Sequence, residues 1–156
     1  MKQVFTDLDI YYMKEALKEA KLAEQHGDVP VGAVVVLDGQ IIGRGHNRRE
    51  VDSDPTAHAE ILALRAAGSQ RKNWRLNNAL LYVTLEPCPM CASAIVQARI
   101  RQVIYGVDDP RLGAAGSLLN LLQFPGFFHD TSVRSGLLLE ECQALLQDFF
   151  KDRRDS

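Results

Sequence analysis

The sequence predicts an α/β fold in which a mixed sheet carries helices on both faces. Three observations lead there. Short apolar runs of strand length alternate with longer stretches at helical spacing. The first two runs are joined by Asp38-Gly39, the two-residue turn that favours a type I′ hairpin and an antiparallel pair. The later runs are separated by helical segments, the connection that parallel strands require. At 156 residues the chain fits one domain, 1–156, better than two.

Taken in order, Thr6 or Asp7 caps a first helix from about Asp9 to His26; Ile10, Met13, Leu17 and Ala20 share one face and Gly27 stops it. Val31–Leu37 is nearly all β-branched or small and apolar, and Gln40–Gly45 returns as its hairpin partner. A polar stretch from Asn47 to Pro55 leads into a helix over Ala57–Ala67, ended by Gly68. Leu80–Leu85 is a buried strand. Pro87 opens the next helix, Cys88 to Ala98, where its missing N–H is not needed. Gln102–Val107 is a further strand. Beyond the loop at Gly113–Gly116 come a short helical piece around Leu118–Leu122 and a last strand at Val133–Ser135. Leu137–Phe150 closes the chain as an amphipathic helix with Leu138, Cys142, Leu145 and Phe149 on one stripe.

Apolar residues make up 46% of the chain and charged residues 24%, enough to build a core, which excludes intrinsic disorder. No apolar run approaches the roughly 18 residues of a membrane helix; the longest, such as Gly32–Leu37, are far shorter. The first ten residues carry Lys2, Asp7 and Asp9 and no apolar core of a secretory leader, so a cytoplasmic location is expected. The net charge of −2 argues against a general nucleic-acid coat, whose affinity comes from Lys and Arg on phosphates, while leaving room for a local basic surface. Arg44, Arg48 and Arg49 cluster in one stretch, and Arg71, Lys72 and Arg75 surround Trp74. Each group reads either as a phosphate contact, with Trp74 free to stack on a base, or as solvated surface charge.

The chemistry lies in two helix starts. Cys88 and Cys91 are three apart, so both sulfurs face one way, and a helix N-terminus favours their thiolates. Two such thiolates are half of a tetrahedral zinc site. His58, at the start of its own helix, is the best candidate for a third ligand, and two Cys with one His is the ligand count of a catalytic zinc that keeps a position for water. His26, His46 and His129 remain open as a fourth ligand. Glu60, two residues beyond His58 on the same first turn, is placed to take the water proton and pass it on. Glu86 and Asp109 are other carboxylates nearby in the motif, neither so fixed to a ligand. A thiol–disulfide pair or buried core thiols would equally account for Cys88 and Cys91 taken alone. Cys142 falls on the apolar stripe of the last helix and reads as core.

Together, His58-Ala59-Glu60 and Pro87-Cys88-Pro89-Met90-Cys91 form the H-x-E…P-C-x-x-C signature, and on it the chain resembles the zinc-dependent nucleoside and nucleobase deaminases. It is similar above all to the bacterial tRNA-specific adenosine deaminases. That resemblance rests on Asp28–Val36, Gly45-His46-Asn47-Arg48, Thr56–Ile61, Thr84–Ile95, Gly113–Ser117 and Glu141–Phe150, and covers about residues 9 to 154. It implies a cytidine-deaminase-like three-layer α/β/α fold around a five-stranded sheet, a homodimer, and one Zn2+ per subunit held by His58, Cys88 and Cys91. The reaction implied is hydrolysis of the wobble adenosine in a tRNA anticodon stem-loop to inosine. Zinc-activated hydroxide adds at C6, Glu60 carries protons to the ring nitrogen and the departing amino group, and ammonia leaves. By the same resemblance Asn47 hydrogen-bonds the flipped base, Val31 and Ala59 meet it, Asp109 lies beside the RNA, and the Arg153-Arg154 pair matches family tail positions. A free nucleobase deaminase acting on guanine or cytosine, with the same zinc chemistry, is the alternative.

Overall fold

The structure, a computed structural model, describes residues 3–154; Met1, Lys2, Asp155 and Ser156 lie outside the described residues. Thr6 caps α1 (Asp7–Gln25) with a reciprocal capping box: its hydroxyl accepts from the Asp9 N–H at 3.0 Å while the Asp9 carboxylate accepts from the Thr6 N–H at 2.9 Å. β1 (Gly32–Leu37) and β2 (Gln40–His46) form the expected hairpin, with Asp38 and Gly39 both at positive φ (51° and 76°). A one-turn α2 (Arg49–Asp52) precedes α3 (Ala59–Arg71), β3 (Leu80–Leu85), α4 (Pro89–Gln97), β4 (Gln102–Val107), β5 (Ser132–Ser135) and α5 (Leu139–Arg154).

The sheet order is β2-β1-β3-β4-β5, antiparallel on the hairpin side and parallel from β3 to β5, so the mixed five-stranded sheet is as expected. Alternate residues assign the faces. Gly32 lies against the backbone of Ala16 and Ala20 in α1, and Gly106 against Cys142 in α5. Gly43 and Gly45 face the backbone of α3 instead, and α4 lies beside α3. The helices α1 and α5 therefore cover one face and α3 and α4 the other. Val34, Val35, Leu81, Val83, Ile95 and Ile104 are fully buried between these layers.

Four expectations are corrected. The stretch Asn47–Pro55 is not all loop: Arg49–Asp52 make a helical turn, tied down by the Glu50 N–H donating to the Asp28 carboxylate at 3.0 Å. Helix α3 runs through Gly68 to Arg71 and ends at Lys72, which takes the left-handed conformation (φ 54°). Leu118–Leu122 is not helical; Leu118 and Leu119 donate to the Gly113 carbonyl and Ala115 bridges Asn120. In α5 the buried stripe is Cys142, Leu146 and Phe149, while Leu138, at φ 51°, precedes the helix. Among the described residues no helix is long and apolar enough to cross a membrane.

Candidate metal centre and active-site cleft

His58 is the N-cap of α3 and Cys88 the N-cap of α4, each in extended backbone, with Cys91 in the first turn of α4. Cys88 follows the end of β3 by three residues, and the register Leu85–Val107 places the carboxyl end of β4 beside that of β3. Two helix N-termini thus point at one spot beyond the strand ends, where partial positive charge favours thiolates.

His58 Nδ1 lies 3.6 Å from Cys88 Sγ and 3.5 Å from Cys91 Sγ, and the three ligating atoms fall within 4.8 Å of one another. In a tetrahedral zinc site with Zn–S about 2.3 Å and Zn–N about 2.05 Å, nitrogen and sulfur ligands sit about 3.6 Å apart. The residues therefore fit zinc in both identity and spacing. Among the described residues no other His, Cys, Asp or Glu joins this group. The three histidines left open as ligands are engaged elsewhere: His26 stacks on His46, His46 pairs with Glu19, and His129 meets the Ile100 carbonyl.

The thiols and the imidazole are electrically coupled. A hydrogen bond from Cys91, supported by His58, pulls the Cys88 thiol down to about 4. The same thiolate, together with burial, pushes Cys91 up, and its bond to His58 raises the imidazole. Glu60 is only 4% exposed. Burial, with the Cys88 thiolate adding to it, pushes the Glu60 carboxyl up to about 7. A carboxyl poised there exchanges a proton in either direction near neutrality, as a general acid–base requires.

These groups open onto a cleft of about 320 Å³ walled by Val31, Asn47, Glu86, Asp109, Leu146 and Phe150, among others. Asn47 spans the ends of two elements. Its Oδ1 accepts from the Ala59 N–H at 2.9 Å and its Nδ2 donates to the Val29 carbonyl at 3.1 Å, so it supplies the first turn of α3 with a partner that His58 does not provide. Ala59 is fully buried and adds no surface to the cleft. The Asp109 carboxylate is turned into its own loop, accepting from the Arg111 and Leu112 N–H groups. The three arginines of the first basic cluster are paired with acids: Arg44 with Glu15 and Glu19, Arg48 with Asp52, and Arg49 with Asp28. Only Arg49 of these lines the cleft. In the second cluster Arg75 lies over the Trp74 ring at 4.3 Å.

Residues 6–107 match the cytidine and deoxycytidylate deaminase zinc-binding region. The chain is 52% identical over 146 residues to the tRNA-specific adenosine deaminase of Bacillus subtilis strain 168, covering 94% of this chain and 91% of that protein. The chain belongs to the tRNA-specific adenosine deaminases. A solved structure from a study of A-to-I editing by tRNA:A34 deaminases at the wobble position superposes with a TM-score of 0.84 at 46% identity, covering 87% of this chain and 99% of that one. The guanine deaminase of Bacillus subtilis superposes less well, with a TM-score of 0.60 at 40% identity over 63% of each chain. As a tRNA-specific adenosine deaminase the chain is a zinc-dependent hydrolase, and membership in this family removes the thiol–disulfide reading of Cys88 and Cys91. When bound, zinc acts as a Lewis acid, lowering the pKa of a water ligand from about 15.7 to about 7.

Glu86, read in the sequence only as a further carboxylate near the motif, has partners in the structure that the sequence does not show. Its position between β3 and the Cys pair is visible in the sequence, but its partners are all more than twenty residues away.

Proposed function

We propose that this chain hydrolyses the wobble adenosine of a tRNA anticodon stem-loop to inosine, releasing ammonia. The observation that carries the reading is the convergence of His58, Cys88 and Cys91 within ligand distance beside the buried carboxyl of Glu60, in a chain alike along nearly its whole length to tRNA-specific adenosine deaminases. In this reading His58 Nδ1 and the two sulfurs hold the metal. Glu60 takes a proton from the attacking water and gives it to the adenine ring nitrogen; it then takes the remaining hydroxyl proton of the C6 adduct and delivers it to the amino group, which leaves as ammonia while the C6 carbonyl forms. Val31 and Asn47 bound the space for the base, and Asp109 belongs to the wall facing the RNA. One unpaired base extruded into a cleft is recognised by its edge and its stacking, which needs few cations. A net charge of −2 is compatible with such a substrate.

A second copy of the chain is the proposed partner. The outer face between α3 and α4 carries an apolar groove of about 960 Å³ lined by Ile61, Leu64, Trp74, Met90 and Ala94. A contact there would brace the two helices whose N-termini carry the metal ligands. A cytoplasmic location accords with a tRNA substrate.

The deciding experiment incubates zinc-loaded protein with anticodon stem-loops bearing adenosine, guanosine or cytidine at the wobble position, alongside free adenine, guanine and cytosine. Inosine in the adenosine stem-loop alone is expected. Deamination of free guanine or cytosine with the stem-loops untouched would replace this reading with the nucleobase one.

A further inference from the structure

Glu86 is 2% exposed and immediately follows β3, its own N–H continuing the ladder to the Val107 carbonyl at 2.9 Å. Its carboxylate crosses from the β3 end to the loop that leaves β4. There Oε1 accepts from the Asp109 N–H at 3.0 Å, and Oε2 accepts from the Ala115 N–H at 2.9 Å and the Ser117 N–H at 3.1 Å. The Ser117 hydroxyl donates to Oε1 as well. All four donors are neutral groups of one loop.

That loop has no regular secondary structure between Asp109 and Leu119, yet every N–H in it has an acceptor. Arg111 and Leu112 donate to the Asp109 side chain, and Gly113 donates to the Asp109 carbonyl. Ala114 donates to the Pro87 carbonyl, Gly116 to that of Leu119, and Leu118 and Leu119 to that of Gly113. The remaining N–H groups, at Asp109, Ala115 and Ser117, all converge on Glu86. Among the described residues no other side chain accepts from both ends of the loop. The packing is equally specific at Gly113, where a Cβ would fall 2.3 Å from Glu86 Cδ and 2.4 Å from the Asp109 carbonyl. Asp109, Arg111 and Leu112, which this clasp holds in place, all line the cleft.

We propose that Glu86 is a positioning residue: its buried carboxylate fixes the Asp109–Ser117 loop as the substrate-facing wall of the cleft, two residues before Cys88. The inference rests on the functional reading above, since the wall is taken to face the stem-loop. A carboxylate suits the task because it offers acceptors only, on both oxygens. A glutamine in its place would turn an NH2 group towards N–H donors and leave at least one of them unpaired and buried.

The test compares wild type with Glu86→Gln, Ser117→Ala, Gly113→Ala and the double variant Glu86→Gln/Gly113→Ala by zinc content, by KM and kcat on the adenosine stem-loop, and by amide hydrogen exchange. Zinc content near one per chain is expected throughout. For Glu86→Gln, KM should rise about tenfold or more with kcat changed less, because a misplaced wall of about 1 Å weakens binding geometry strongly. The Ala115 and Ser117 amides should exchange faster. Ser117→Ala should show a smaller rise, and Gly113→Ala a rise that does not add to that of Glu86→Gln, since both act on one contact. An unchanged KM in Glu86→Gln would overturn the proposal, as would additive effects. Loss of zinc with a fall in kcat alone would also overturn it, by making Glu86 a support of the metal. If wild type leaves the adenosine stem-loop untouched, the functional reading fails instead, and the exchange of Ala115 and Ser117 still decides whether the clasp exists.

Discussion

Replacing Gly45 by alanine probes how the sheet positions the metal ligands. A Cβ on Gly45 would lie 2.4 Å from the Ala59 carbonyl oxygen and 2.6 Å from the Ala63 N. Ordinary carbon–oxygen contact begins near 3.4 Å, so α3 must retreat from β2 by up to about 1 Å. Both atoms it meets are backbone, so no rotamer change relieves the clash. His58 is the residue before Ala59, and its Nδ1 rides on that first turn, now 3.5 Å from Cys91 Sγ. A shift of that size is enough to move the pair off the roughly 3.6 Å spacing that tetrahedral zinc ligands keep. The overpacking alone costs about 1–3 kcal/mol, and a 1 Å misplacement costs about 10²-fold in rate. Gly45→Ala should therefore remain folded but release zinc more readily to a competing chelator and lose about two orders of magnitude in kcat. The assay is metal content after graded chelator treatment, with inosine formation measured on the same samples. A Gly45→Ala protein holding zinc as tightly as wild type and turning over normally would refute the argument that this close approach sets the ligand geometry.

Three further outcomes are expected. Asn47→Ala should keep its zinc, lose about 2 kcal/mol of stability through the unpaired Ala59 N–H and Val29 carbonyl, and raise KM for the stem-loop; unchanged kinetics would remove Asn47 from the binding site. Burial works to raise the Asp9 carboxyl, but hydrogen bonds from Arg134, Tyr82 and the Thr6 N–H outweigh it and hold the carboxyl below its ordinary 3.8. Its contribution is thus present above about pH 4 and lost as pH falls through the lowered value; Asp9→Asn should cost about 3 kcal/mol near neutrality and less at pH 2–3, as denaturant midpoints across that range will read. Stripping zinc should lower Tm and readdition restore it, since a ligand at 1,000 times its Kd adds about 4 kcal/mol; an unchanged melting curve would disconnect the metal from the fold.

The sequence was most readable where local rules and long-range structure agree. Asp38-Gly39 can adopt the two positive φ values that a type I′ turn needs, and the hairpin formed around it. The metal ligands sit at helix starts, so their spacing alone brings Cys88 and Cys91 to one side. Elsewhere distant contacts override local signals. Gly68 lowers helix propensity by only about 1 kcal/mol, and α3 continues past it because its inner face is held against β2. Leu118–Leu122 has helical spacing but follows a loop whose carbonyl at Gly113 captures its amides. The α2 turn depends on Asp28, more than twenty residues earlier, and the acids that pair with Arg44 of β2 come from α1. Glu86 was invisible as a clasp for the same reason, since none of its acceptor bonds is local.

Zinc per chain, measured by metal analysis on purified wild type, His58→Ala, Cys88→Ser and Glu60→Ala, tests the central claim most directly. About one zinc in wild type and Glu60→Ala is expected, with none in His58→Ala or Cys88→Ser, and with inosine formed by wild type alone. A fully metallated, active Cys88→Ser protein, or a Glu60→Ala protein that has lost its zinc, would contradict the assignment of three ligands and a separate proton carrier.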